Sequence, residues 1–304
     1  MVTGFINVLK PPGLTSHDVV QQLRRILKEK KIGHAGTLDP LAAGVLPVAA
    51  GKATRLLEYL QAGDKAYRAE FILGLKTDTQ DLDGSVLART PCPPFTEGEL
   101  QAAALPLTGP IFQVPPMASA VHYQGRRLYE LAWEGLEVER PARPVTVYQF
   151  QVLKAWRDPP YYRALVDITC SRGTYVRTLG ADWGDRLGVG ATLAFLLRTA
   201  AGTFQLTAAW TLEEIEAMAR AGNLEFILPP AAGLQHLAAV TVPGDFIPAV
   251  RNGVVLKGEV CRSLPAVRTG DIVRLEDGAG QLLALARVAI NNQGAYLFKP
   301  HKVL

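Results

Sequence analysis

The sequence predicts an α+β protein with a small β-barrel at its C-terminal end. Three observations carry this. Stretches with strand character (Gly4–Leu9, Tyr67–Gly74, Val145–Trp156, Tyr161–Cys170) alternate with segments that have helix caps and apolar residues at helical spacing. The stretch Leu228-Pro229-Pro230-Ala231-Ala232-Gly233 interrupts the pattern and reads as a linker. Beyond it Ile272–Leu275, Leu282–Ile290 and Ala295–Phe298 are short strands in quick succession, a density that suits a barrel. The division expected is residues 1–230 and residues 231–304.

In chain order, Gly4–Leu9 is a strand stopped by Lys10-Pro11-Pro12-Gly13. Thr15 or Ser16 caps the next helix, with Asp18 in its first turn and Val19, Val20, Leu23, Ile26 and Leu27 on its apolar face. Lys28, Lys30 and Lys31 suit the negative end of its dipole. Thr54–Leu60 reads as a short helix. Thr96-x-x-Glu99 is a capping box opening a helix to about Leu105, and Ile111–Val114 is a strand ended by Pro115-Pro116. Ser171-Arg172-Gly173-Thr174 opens a helix, Leu193–Leu197 is an apolar run ended by Arg198, and Thr211-x-x-Glu214 caps another helix.

The totals exclude several classes. Hydrophobic content of 48% and charge of 20% describe an ordinary globular chain. No apolar run reaches the length of a membrane span, and Met1–Phe5 has neither the basic start nor the apolar core of a signal peptide. Cys92, Cys170 and Cys261 are far apart with no C-x-x-C, which points to a reducing, cytoplasmic compartment and away from disulfides or zinc. Five scattered histidines give no metal-ligand spacing. The net charge is +4, arginine outnumbers lysine, and residues 231–304 carry eight basic against five acidic side chains. A polyanionic partner is permitted by that balance, as is a solvated surface.

The stretch richest in constraint is Gly33-His34-Ala35-Gly36-Thr37-Leu38-Asp39-Pro40-Leu41-Ala42-Ala43-Gly44-Val45-Leu46, read as one loop. Pro40 pushes Asp39 toward extended backbone, so the acid is aimed from the main chain outward. His34 is its one titratable neighbour within five residues. A carboxylate held this way serves as a nucleophile or general base, and the pattern equally admits a turn cap. Thr77–Gly84 reads as a polar turn between strands. It lacks the first and twelfth ligands of an EF-hand and the preceding buried strand of a haloacid-dehalogenase phosphatase. Residues 117–144 are a basic irregular insertion, where Tyr123, Arg126, Arg127 and Tyr129 suit either a nucleic-acid surface or a helix completing a core.

Several separated motifs then agree in order. These are Gly4–Ser16 with its K-P-P-G-L-T-S turn, G-H-A-G-T-L-D-P at 33–40, Lys65-x-Tyr67 through Gly84, Gln113-Val114-Pro115-Pro116-Met117, Arg143-Pro144-Val145, and Cys170-Ser171-x-Gly173-Thr174-Tyr175-Val176-Arg177. With these the chain resembles the bacterial tRNA pseudouridine-55 synthases, the TruB family, over nearly its whole length. The final 70 or so residues look like the PUA domain that such enzymes often carry.

The resemblance implies the pseudouridine synthase fold, with a mixed, largely antiparallel central sheet flanked by helices. It implies cofactor-free isomerisation of the T-loop uridine of tRNA by an enzyme that extracts the base from its loop. Apart from the resemblance, a monomer is expected. Asp39 matches the catalytic aspartate, as nucleophile or base. Arg177 matches the arginine paired with it, and Tyr67 the tyrosine stacked on the target base. Tyr175 and Leu196 match pocket-lining positions, and His34 a histidine associated with the space the flipped nucleotide leaves. Residues 117–144 match a thumb-like RNA-binding insertion, with departures at Ala118, where an aromatic is common, and His122, where lysine is usual.

Overall fold

The computed structural model describes residues 2–119, 121–261 and 264–304. The chain forms two compact units, Met1–Pro40 with Val45–Gly63 and Gly202–Leu304, and Leu41–Gly44 with Asp64–Ala201.

In the first unit the strand Gly4–Lys10 lies between Ile227–Leu228 and the strand Ala43–Ala50. Phe5 and Ile6 pair antiparallel with Leu228 and Ile227. Of the linker expected at 228–233, Leu228 therefore completes a sheet and Pro230–Leu234 coils into a 3-10 turn. Thr15 caps the helix Ser16–Leu27, and the reciprocal bond from Asp18 closes the capping box. That helix and Leu212–Arg220 bury Val19, Val20, Leu23, Leu212 and Ile215 against Ile6, Val8, Leu46 and Val48. The stretch read as one loop at 33–46 has strand at both ends. Ile32–His34 pairs antiparallel with the far end of Ala43–Ala50, His34 opposite Val48, leaving 35–42 irregular.

The C-terminal residues form a separate sheet with its own core. Ala239–Thr241, Ile272–Glu276, Leu282–Ile290, Tyr296–Val303 and Leu256–Lys257 lie in that spatial order, around Val240, Val273, Leu275, Ala286, Val288 and Phe298. The first pairing is parallel and the others are antiparallel. The sheet is a curled half-barrel, in keeping with the small barrel that the strand density suggested. The strands 239–241 and 256–257 were invisible in the sequence because two or three residues give no periodicity to read. Lys302 meets Glu58 at 3.0 Å, and Arg55 donates to the Val303 carbonyl at 3.1 Å.

The second unit is a sheet in the order Ala191–Ala201, Lys65–Leu73, Tyr161–Cys170, Arg143–Asp158, Gly109–Gln113, all antiparallel. Ala43 and Gly44 pair parallel with Leu197 and Arg198, which makes the sheet mixed. The apolar run expected to end at Arg198 continues to Ala201, since backbone pairing with Lys65–Leu73 carries the strand past the charge. The helix expected from Ser171 begins only at Val176; Gly173 at φ +82° belongs to the turn before it. The helix Val176–Arg186 packs Trp183 against Phe71 (centroids 6.0 Å) and Phe150 (5.3 Å), and the indole N–H donates to the Leu100 carbonyl at 3.0 Å. Trp183 and Phe71 have no exposed surface.

Gly180 lets that helix approach, because a Cβ there would overlap the Phe71 ring. Gly180→Ala is expected to lower stability by roughly 1–3 kcal/mol through overpacking, read as a lower urea midpoint at unchanged slope.

Candidate active site

Asp39 is half-buried, and the backbone on both sides of it is tied down within the first unit. The Ser16 hydroxyl accepts from the Leu38 N–H at 2.9 Å and donates to the Leu38 carbonyl at 3.2 Å. One buried side chain thus satisfies both peptide groups of the residue before the acid. On the other side, the Pro40 carbonyl accepts from the Gly13 N–H at 2.8 Å and from the Lys10 ammonium at 3.2 Å. Lys10 is fully buried and also donates to the carbonyls of Pro11 at 2.8 Å and Leu14 at 2.6 Å. Gly13 takes φ +87°, which turns its N–H toward Pro40 without a steric cost. The K-P-P-G-L-T-S turn is the mould in which the acid's loop is set. His34 ends the short strand before that loop.

The second unit holds Tyr67, Leu196, Tyr175 and Arg177. Tyr67 stands opposite Ile168 on one side and Arg198 on the other, and Leu196 stands opposite Ala69. Directly paired and i+2 positions share a face, so Tyr67, Arg198 and Leu196 point to the same side of the sheet. Beside them, burial pushes the Lys65 ammonium below its usual range, and Arg198 lowers it further.

Tyr175 and Arg177 come from the turn and first residues of the helix Val176–Arg186. Arg177 is 5% exposed and reaches three acceptors: Asp81 at 3.2 Å, the Thr79 carbonyl at 3.2 Å and the Ala118 carbonyl at 2.8 Å. The guanidinium fork suits such divided bonding, and its buried charge is offset by the Asp81 carboxylate. Asp81 in turn accepts from the Asp83 N–H at 3.2 Å, and burial together with Asp81 raises the Asp83 carboxyl. The 77–84 turn is stitched to the sheet by Leu193 N–H to the Gln80 carbonyl (3.0 Å), and to the helix by the Thr178 hydroxyl on the Gln80 side chain (3.0 Å).

Asp39 and His34 therefore stand in one unit and the four other expected residues in the other. Sequence reasoning overlooked the parts played by Ser16, Lys10, Asp81 and Gln113. Each lay inside a quoted motif, but pattern alone gave Ser16 and Asp81 the ordinary work of a cap and a turn. Gln113 is 2% exposed and bonds both peptide groups of Tyr175, accepting from its N–H at 3.0 Å and donating to its carbonyl at 3.2 Å.

Residues 24–176 match the model of the TruB family pseudouridylate synthase N-terminal domain. The tRNA pseudouridine synthase B of Moorella thermoacetica is 75% identical over 304 residues, the whole of both chains. The chain belongs to the TruB family. The tRNA pseudouridine synthase B of Symbiobacterium thermophilum is 51% identical over 253 residues, 83% of each chain. Among solved structures, a chain of a Cbf5-Nop10-Gar1 complex is similar with a TM-score of 0.77 at 29% identity, covering 99% of this chain and 84% of that one. A chain of an H/ACA RNP bound to a substrate RNA containing 2'-deoxyuridine gives 0.76 at 28% identity, with the same coverage. This TruB-family chain has no helix long and apolar enough to cross a membrane among the described residues.

Two measurements follow from the site's construction. Ser16→Ala removes both bonds to Leu38 and leaves a buried N–H unpaired, so a loss of roughly 1–3 kcal/mol is expected, measured by urea unfolding. Cys170 is fully buried at the head of the C-S-x-G-T-Y-V-R motif, and burial pushes its thiol up to about 11. At pH 8 a disulfide reagent should label Cys92 and Cys261 first and Cys170 only after denaturation, as mass spectrometry would read directly.

Proposed function

We propose that this chain converts the uridine at position 55, in the T loop of tRNA, to pseudouridine, with Asp39 as the catalytic carboxylate. The observation that carries the reading is the 75% identity over the full length to a tRNA pseudouridine synthase B. The anchoring of Leu38 and Pro40 about Asp39 supplies the physical support.

The reaction breaks the bond from N1 of uracil to C1' of ribose, turns the base and joins C5 to C1'. The hydrogen on C5 leaves as a proton, N1 gains one, and no electrons enter or depart. One carboxylate suffices. It either attacks the sugar or base and is later displaced, or removes a sugar proton. Either route needs Asp39 ionised, and a cation nearby favours that form; Arg177 is assigned that role.

Tyr67 is assigned to stack on the extracted base close to C5, with Tyr175 and Leu196 lining the pocket. His34 is assigned to the space the nucleotide leaves. Extraction costs a few kcal/mol, offset by base stacking and phosphate contacts. Residues 117–144 and the half-barrel, read as a PUA-like domain in residues 231–304, supply the grip on the T stem-loop. The protein acts as a cytoplasmic monomer.

The test is an unmodified tRNA transcript mapped for pseudouridine after incubation. Wild type should modify the T-loop uridine. Asp39→Asn should keep its fold and bind the transcript within about 2-fold, while its single-turnover rate falls by at least about 10³-fold. Turnover in that variant close to wild type would remove Asp39 from its role.

A further inference from the structure

We propose that Gln113 is a positioning residue for the reaction, holding Tyr175 and Arg177 in register with the root of the 117–144 insertion. The inference rests on the reading above, in which Tyr175 lines the base pocket.

Three observations lead there. First, the helix Val176–Arg186 starts without a side-chain cap; Tyr175 occupies the cap position at φ −99°, ψ 111° and makes no such bond. Something outside the helix must therefore fix where its first turn begins. Secondly, Gln113 does so with both ends of its amide, pairing with the N–H and the carbonyl of Tyr175 as a neighbouring strand would. Gln113 is the last residue of the strand Gly109–Gln113, which is held to Arg143–Val147 by backbone pairing, so the clamp sits on a rigid support. Thirdly, five residues on, the Ala118 carbonyl accepts from Arg177. The segment 113–118 is thus fastened at both ends to the start of that helix, at Tyr175 and Arg177, and its last two residues are the first of the insertion.

A side chain that pairs with both peptide groups cannot be replaced by an isostere of one polarity. Gln113→Glu keeps the acceptor for the Tyr175 N–H but, when ionised, sets a carboxylate oxygen against the Tyr175 carbonyl. Protonation restores an O–H donor and with it both bonds. Burial raises a carboxyl pKa, which brings that protonation toward the accessible range. Gln113→Leu has neither group at any pH.

The experiment measures single-turnover rate and transcript affinity for the full chain and both variants between pH 5 and 8. Gln113→Leu should lose about 10- to 100-fold in rate at every pH, with affinity within about 3-fold. Gln113→Glu should match that loss at pH 8 and recover at least 5-fold relative to wild type as pH falls to 5. Rates within 2-fold of wild type in Gln113→Leu, or equal pH-independent losses in both variants, would overturn the proposal. Amide hydrogen exchange at Tyr175 gives a reading free of activity, slow in wild type and faster in Gln113→Leu; equal exchange also overturns it. Were wild type itself inactive on tRNA while Tyr175 exchange still responded to Gln113→Leu, the functional reading would fail and the clamp would stand.

Discussion

The rest of the molecule depends on how one short piece of irregular backbone is held. Residues 35–42 carry Asp39 with no ladder of their own, yet the peptide groups on either side of the acid are bonded to residues of the 10–16 turn. A loop with free ends would sample many directions, and these bonds remove much of that freedom from the backbone on either side of the acid. The strand Gly4–Lys10 and the helix Ser16–Leu27 are the frame for that turn, and their burial against Leu46 and Val48 holds the frame in place.

The same economy recurs in the second unit. Where backbone leaves regular structure there, side chains take the place of a missing neighbour as Ser16 does beside Leu38 in the first unit: Gln113 beside Tyr175, and Thr77 on the Asp81 carbonyl. Buried charge is treated likewise. Lys10 is held by main-chain carbonyls, and Arg177 by two carbonyls and the Asp81 carboxylate, which take up their donors in fixed directions. A cation solvated by carbonyls holds those carbonyls in place, so two costly burials become two local braces.

Much of this was legible beforehand, and for identifiable reasons. Capping boxes at Thr15, Thr96 and Thr211 are short-range signals, and all three helices start at them. The long strands at Lys65–Leu73 and Tyr161–Cys170 show their period of two. Asp39 stood out through Pro40 and its glycines. What escaped was set by contacts distant in sequence. Ile227–Leu228 look like the edge of a linker until they pair with Phe5 and Ile6. Asp81 reads as a turn acid until Arg177, 96 positions later, closes on it. Nothing local separates such a residue from any other aspartate in a polar turn.

The divided bonding of Arg177 has an evolutionary corollary. Its nitrogens serve Asp81, Thr79 and Ala118, which lie on two separate stretches of chain. Lysine would preserve the charge, but its donors radiate from a single atom and cannot span acceptors spread along a planar fork. The exchange of like sign is therefore not a neutral one at this position. A lysine here would have to be matched by changes in the 77–84 turn and at the foot of the insertion.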